Sequence, residues 1–479
     1  MKASSLVPFL AIGAALLGPA VAADKATPDR PNIVFILADD LGWRDLACYG
    51  SEWHQTPNLD RLARDGMRFT TAYASAPICS ASRASILTGK SPARLGFEFV
   101  TKEPGTAVEK HALTPPPYPL NLPLEEITTA EVLGPAGYKT GLYGKWHVSQ
   151  HNGRYLGWST THGPLQQGFA EGDQEFGLHP YSEVKGAPPP PKLASGDYGR
   201  DALTEKAIGF IRRHRDERFF LHLGEYFVHE PVRTRAMWLA EKYQAKLPPG
   251  ADASRAVYAA MVETLDHLVG QVLAALDEAG LRDNTLVIFV SDNGGNPKYA
   301  ANGPLRGSKW NVYEGGIRVP MIVRWPGKVV AGSTCDTPII GSDLMPTLAE
   351  VAGTTPPAGV PMDGVSIVSL LKGGKEVKRT QPMVWHFPYY HPEKDYDEAK
   401  PDIGINDFRI SQTRPQSAIR VGDYTLVHFY EKNNDELYYL PDDLSEQRDI
   451  SKEKPKKAAK LRASLDAYLE ESGARLPGR

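Results

Sequence analysis

The run Asn32-Ile33-Val34-Phe35-Ile36-Leu37-Ala38-Asp39-Asp40 decides the fold class. Its apolar, β-branched body shows no polar alternation, the pattern of a strand buried on both faces of a mostly parallel sheet covered by helices. It stops abruptly at two carboxylates. Ligands of open α/β sheets collect outside the carboxyl ends of strands. Two adjacent carboxylates held there repel unless a cation lies between them; a solvated Asp-Asp turn is the bland alternative. A second apolar run, Thr285 to Val290, also finishes in oxygen side chains, Ser291-Asp292-Asn293. In one parallel sheet the two ends can converge, and Asp39, Asp40, Asp292 and Asn293 then make a hard-cation site. Oxygen-only ligation favours calcium or magnesium over zinc.

Working outward, the other elements punctuate themselves. Thr56 is placed to cap a helix that has Pro57 at its first position and closes by Gly66. Thr128-Thr129-Ala130-Glu131 is a capping box, and its helix gives way to a short strand over Tyr138 to Tyr143. A helix near Tyr198 to His214 precedes the strand Phe219 to Leu223, where His222 is expected to be a packed core histidine. Arg255 to Ala279 reads as one long amphipathic helix, with Leu265, Leu268, Val269, Val272 and Leu276 on one stripe. After about Asp363 the character changes. Gly422-Asp423 joins two short apolar runs as a hairpin, Leu437 to Leu440 can add a strand, and Pro455 to Ser472 is a last helix. The expected architecture is α/β: a mostly parallel central sheet flanked by helices over 23–365, and a smaller α+β unit with an antiparallel sheet over 366–479.

Four further places carry chemistry. Cys79-Ser80-Ala81-Ser82-Arg83 opens a small-residue helix that stops at Gly89. A cysteine at a helix start meets free N–H groups and the positive end of the dipole, and Arg83 lies one turn on along the same face. That corner attracts anions; a buried structural cysteine is the bland alternative. Lys145 and His147 follow a strand end and, in an extended segment, point to one side. They offer a fixed positive charge and a proton acceptor near neutral pH. His229 lies just beyond a strand and two residues before Pro231, in a loop at the sheet's carboxyl edge. Lys309 sits in a glycine-flanked loop that permits close approach to a ligand.

Taken in order, the strand ending Asp39-Asp40, Cys79 to Lys90, Gly144-Lys145-Trp146-His147, His229 with Pro231, Asp292-Asn293 and Lys309 resemble the motifs of the type I, formylglycine-dependent sulfatases of the alkaline-phosphatase-like superfamily. The signature here is the alanine form, Cys79-x-Ala81-x-Arg83, with Lys90 where arginine is commoner. The resemblance implies an alkaline-phosphatase-like sandwich with a smaller C-terminal domain. It implies that Cys79 is oxidised to formylglycine (3-oxoalanine) by a formylglycine-generating enzyme or an anaerobic sulfatase-maturating enzyme. Calcium, or alternatively magnesium, would be held by Asp39, Asp40, Asp292, Asn293 and the modified Cys79. Lys145 and Lys309 would bind sulfate oxygens, and Arg83 would favour the ionised nucleophile. His229, with Lys309, would protonate the leaving alcohol, and His147 would take the proton of the second hydroxyl as sulfate departs. The implied reaction is that of an arylsulfatase-like sulfuric ester hydrolase. The rivals are a phosphonate monoester or phosphodiester hydrolase of the same superfamily, and a carbohydrate-binding protein whose cysteine is never matured.

The chain has 479 residues, 41% hydrophobic and 23% charged, and a net charge of -3, which argues against a general nucleic-acid surface. Lys2, the apolar run Leu6 to Leu17 and Ala20-Val21-Ala22 read as a signal peptide over 1–22. The run is too short to span a bilayer, and no cysteine follows it to carry a lipid. The expectation is an exported protein, periplasmic or extracellular, without a membrane anchor, acting on sulfated small molecules or oligosaccharides. Cys48 and Cys335 leave their pairing open. The aromatic stretch Trp385 to His391, with Arg409 and Arg414, and the loop Gly153 to Asp197 are candidates for lining a sugar pocket, with ordinary packing between domains as the alternative for the first.

Overall fold

The computed structural model describes residues 1, 30–101, 112–183, 192–247, 249–356, 358–390 and 414–478. Residues 2–22 of the signal-peptide segment, His391 and Arg409 lie outside the described residues. The large sheet is built from β1 (Asn32–Ala38), β2 (Met67–Tyr73), β3 (Lys139–Gly144), β4 (Glu171–Asp173), β5 (Phe219–Gly224), β6 (Thr285–Ser291), β7 (Arg318–Arg324), β8 (Ser333–Cys335) and β9 (Ile339–Ile340). Its order is β4-β3-β5-β1-β6-β7-β2-β8, with β9 also on β2. All pairings are parallel except those of β7, which runs antiparallel to both β6 and β2. The sheet is thus mostly parallel, as the unalternated apolar runs require.

Those runs are apolar throughout because they serve two cores. Ile33, Phe35 and Leu37 of β1 face one layer, and Val34, Ile36 and Ala38 face the other. Leaving any one of the larger of these in water would cost roughly 1.5–3 kcal/mol. The helix Ser254–Glu278 covers the second face with the stripe read from its sequence, Leu265, Leu268, Val269, Val272 and Leu276. It is long and apolar enough to cross a membrane, but most of it is buried in this core. His222 is packed against Phe35 and Phe220, as expected of a core histidine.

A second, antiparallel sheet comprises β10 (Met383–Phe387), β11 (Gln416–Val421), β12 (Tyr424–Phe429) and β13 (Asn434–Tyr439). One face takes the helix Pro455–Glu471 through Leu461, Leu465 and Leu469 against Ile419, Leu426 and Leu437. The other face packs Trp385, Phe387 and Val427 against Tyr73, Ile78 and Ala81. Trp385 Nε1 donates to the Ala74 carbonyl at 2.8 Å. For Trp385, Phe387 and Tyr389, all buried, the packing alternative therefore holds, and Arg414 pairs with Glu431. Through Ile78 and Ala81 the small sheet buttresses the start of the signature helix.

One local expectation is corrected. Thr56 does not cap the helix Pro57–Arg64; its hydroxyl donates to Asp60 and accepts from the Ala47 N–H. The capping box at Thr128 and Glu131 does form. Cys48 and Cys335 are both free thiols.

Candidate active site

Strand register assembles the site. β1 lies between β5 and β6, with Leu37 opposite both Gly224 and Val290, and Ala38 opposite Ser291. Asp39-Asp40 and Asp292-Asn293 therefore emerge side by side. The Asp40 N–H donates to Asp292 Oδ1 at 3.2 Å, and Asn293 Nδ2 donates to Asp40 Oδ1 at 2.7 Å. On the other side, Gly144 ends β3 directly opposite Gly224 of β5. A Cβ on Gly144 would fall 2.1 Å from the Gly224 carbonyl oxygen, and its φ is +96°, so only glycine allows this approach. The next residue, Lys145, is delivered to Asp39, Nζ to Oδ2 2.5 Å.

The helix Cys79–Thr88 starts at the cysteine, after an extended Ile78 that gives no side-chain cap. Cys79 Sγ lies 3.4 Å from Asp39 Oδ1 and 3.7 Å from Asp40 Oδ1. Arg83 reaches past it: Nε donates to Asp292 Oδ2 at 2.8 Å and Nη1 to the Lys145 carbonyl at 3.0 Å. Lys309 Nζ meets Asp40 Oδ2 at 2.7 Å, and His229 Nε2 lies 3.6 Å from that oxygen. The donor atoms of Asp39, Asp40, Cys79 and His229 all lie within 4.8 Å of one another. All ten residues singled out from the sequence meet at one end of one sheet. Lys145 and His147 do so for a different reason than alternation: His147 has φ +57°, so the segment is not extended there. Asp40, at φ +61°, and Trp310, at +83°, share this uncommon left-handed backbone, which gathers at functional sites.

Burial and the neighbouring charges set the protonation of these groups. Burial pushes Asp39 and Asp40 up, but Lys145 and His229 for the first, and Lys309 and His229 for the second, outweigh it and hold both below the usual carboxylate range. Burial, with Asp39 beside it, pushes Asp292 up to about 7 despite Arg83. Burial likewise drives the Cys79 thiol well above its ordinary value. Burial and Lys145 depress His147 far below the usual histidine range, and burial and Lys309 lower His229.

The donor set fits a hard divalent cation. Three crowded carboxylates are joined by Asn293 Oδ1, a buried acceptor with no hydrogen-bond donor. Asp39, Asp40, Asp292 and Asn293 would hold the ion with oxygens alone. Arg83 Nη2 and both ring nitrogens of His147 are also buried without hydrogen bonds, so the site keeps donors and acceptors unspent. The sequence reading missed Tyr181 and His179, which touch His229 from the segment between β4 and β5. No motif marks them; contact across nearly fifty residues is visible only in the fold.

Sheet and site together define the class: a hydrolase of the alkaline-phosphatase-like superfamily. The chain belongs to the sulfatase family, whose profile matches residues 31–354, while the profile of the C-terminal part of N-sulphoglucosamine sulphohydrolase matches 308–474. A sulfatase of Formosa agariphila is 32% identical over 527 residues, 96% of this chain and 93% of that protein. Human arylsulfatase A is 35% identical over 402 residues, covering 78% of this chain and 74% of that protein. Rat N-acetylgalactosamine-6-sulfatase is 34% identical, over 74% and 68%. Among solved structures, Ps i-CgsB superposes with a TM-score of 0.70 at 27% identity, over 92% of this chain and 93% of its own. Its complex with k-i-k-neocarrahexaose gives 0.69 over the same shares. The protein is a sulfuric ester hydrolase acting on sulfated substrates.

Proposed function

We propose that the chain is an exported sulfatase that releases inorganic sulfate from carbohydrate sulfate esters through a formylglycine made from Cys79. Calcium is the resident cation in this reading, a formylglycine-generating or anaerobic sulfatase-maturating enzyme is the partner, and the catalytic unit spans 23–365 with the α+β unit at 366–479. The observation that carries the reading is the packing of Asp39, Asp40, Asp292 and the Asn293 amide around the residue-79 side chain at a helix N-terminus, ringed by Lys145, Lys309 and Arg83. Hydrated formylglycine supplies two hydroxyls on one carbon, one to attack sulfur and one through which sulfate can be expelled without a second attack at sulfur. A divalent cation supplies the charge that favours an ionised hydroxyl and offsets sulfate charge.

The chain's own groups divide the remaining work. Lys145 and Lys309, tied to Asp39 and Asp40, are the cations available to sulfate oxygens. Arg83 orients Asp292 through Nε and keeps Nη2 uncommitted. His229 is more exposed than Lys309 beside the same Asp40 oxygen and presents Nε2 to the site, where it can donate to the leaving oxygen. His147, neutral and unpartnered at both nitrogens, can accept a proton. Carbohydrate esters are favoured by the names of the relatives and by the oligosaccharide complex of Ps i-CgsB. The signal-peptide pattern over 1–22 supports a periplasmic or extracellular location.

The test has two parts. The Cys79 peptide of the secreted protein should have the lower mass of the aldehyde. The enzyme should also release sulfate from position-defined sulfated monosaccharides faster than it cleaves a phosphonate monoester. An unmodified Cys79 in active protein, or a phosphonate preference, would sink the reading.

A further inference from the structure

One short turn, Pro180–Ser182, grips His229 at two points. His179 precedes the turn and is fully buried. Its Nδ1 accepts from the Tyr181 N–H at 3.2 Å, so in the neutral ring the proton is on Nε2, which then donates to the His229 carbonyl at 2.9 Å. The second grip is on the ring: Tyr181 Oη lies 2.7 Å from His229 Nδ1. Glu230 O is also 2.7 Å from Nδ1, and a carbonyl can only accept, so Nδ1 carries a hydrogen shared between the two oxygens. Tyr181 has little freedom to leave. Its ring is edge-on to Tyr155 at 5.2 Å, Phe176 at 5.5 Å and Tyr226 at 5.9 Å, and sits 4.3 Å from His179. With backbone and Nδ1 both held, Nε2 is left facing Asp40 and the reacting centre, where it donates in the imidazolium form, which keeps the Nδ1 hydrogen.

We propose that Tyr181, braced by His179, is a positioning residue that fixes the His229 imidazole so that Nε2 points at the leaving oxygen. This rests on the reading of His229 as the group that protonates that oxygen. The need is geometric. An imidazole on a loop can rotate about two side-chain bonds, and acid catalysis requires hydrogen-bond reach of the receiving oxygen. One hydrogen bond of ordinary net strength biases such a rotation by roughly 2–10-fold.

The experiment uses the matured full-length enzyme on a series of sulfate esters, from activated nitrophenyl sulfate to an unactivated sugar sulfate. Wild type is compared with Tyr181→Phe, His229→Ala and the double variant. Tyr181→Phe keeps the ring contacts and should lower kcat about 10-fold on the least activated ester and under about 2-fold on the most activated, with KM little changed. The double variant should match His229→Ala alone. Equal loss along the series, an effect confined to KM, or multiplying losses in the double variant would overturn the proposal. Where His229→Ala discriminates between leaving groups and Tyr181→Phe does not, the positioning role falls alone. Where His229→Ala itself does not discriminate, the acid reading falls and takes the positioning role with it. His179→Ala, which removes the hydrogen bond to the His229 carbonyl together with the contacts that brace Tyr181, gives a second reading: it should show the same leaving-group pattern, and a flat pattern would count against the clamp.

Discussion

Two clusters of buried charge in this molecule are satisfied to different degrees. Between the two sheets, Glu314 accepts from Tyr73 at 2.8 Å and from Arg318 at 2.9 Å, and Arg318 also donates to Thr70 O and Thr71 Oγ1. Arg306 donates to Tyr438 and to the Glu446 carbonyl, and Glu436 accepts from Tyr313 and Tyr438. Within this group of side chains only Glu446 Oε1 lacks a partner. At the carboxyl ends of β1 and β6, by contrast, Asn293 Oδ1 and both nitrogens of His147 have none, and Arg83 Nη2 makes no hydrogen bond, its nearest carboxylate oxygen being Asp39 Oδ1 at 3.9 Å. Burying an ion costs several kcal/mol unless it is paired. The first cluster meets that cost internally and so joins the sheets. The second leaves it partly unmet, which makes the site receptive to a cation and an anion and leaves it dependent on them.

The comparison can be broken most severely at position 79. Cys79→Ala should abolish sulfate release while leaving the thermal midpoint nearly unchanged, since among the described residues the thiol's hydrogen bonds are to carboxylates that a cation would engage. A large loss of stability would mean that the site, too, is a structural cluster. Next is removal of divalent ions by a chelator. Turnover should vanish and the midpoint should fall, because an ion present at about 100 times its Kd stabilises the native state by about 2.7 kcal/mol. Calcium should restore both; a midpoint indifferent to the chelator would count against the oxygen site. His147→Ala should slow turnover ~10²–10⁴-fold, the range for a positioned acid–base group, with little change in urea midpoint because its ring makes no hydrogen bond.

Arg318→Met should do the reverse. It strands Glu314 between the sheets and should cost about 3–5 kcal/mol in urea unfolding, with kcat of the folded enzyme within about 2-fold of wild type. The smallest effect sharpens the same contrast by pH. His386 of β10 is buried, which lowers it to about 4 against the ordinary 6.5. The unfolded chain therefore binds the proton first as pH falls. Stability from this residue is complete above about pH 6.5 and is lost on descent towards pH 4, by about 2 kcal/mol between pH 7 and 5. The unfolding free energies from urea titrations at those two pH values should differ less in His386→Gln by about that amount.

How far the site was legible from residues alone varies along the chain. Asp39-Asp40 and Asp292-Asn293 were legible because each follows an apolar run whose end is marked by composition. Cys79 and Arg83 were legible because helix geometry relates positions four apart. The anchor of Arg83 was not: its guanidinium is held on Asp292, 209 positions away. His147 was expected to reach the site by strand alternation and reaches it through a left-handed turn. Tyr181 left no signal, since a tyrosine after a proline in a loop is ordinary.

By itself the amino-acid sequence determined which segments are buried on both faces, which of them end in oxygen side chains, and where a cysteine meets a helix start. Each of these is a property of a few contiguous residues, set by hydrophobic pattern and backbone geometry. Only the tertiary structure decided that β1 lies between β5 and β6, that β7 alone runs against its neighbours, and that His179 and Tyr181 close on His229. Those facts depend on strand order and register between distant segments, which are selected by the packing of the whole core and are written in no local stretch.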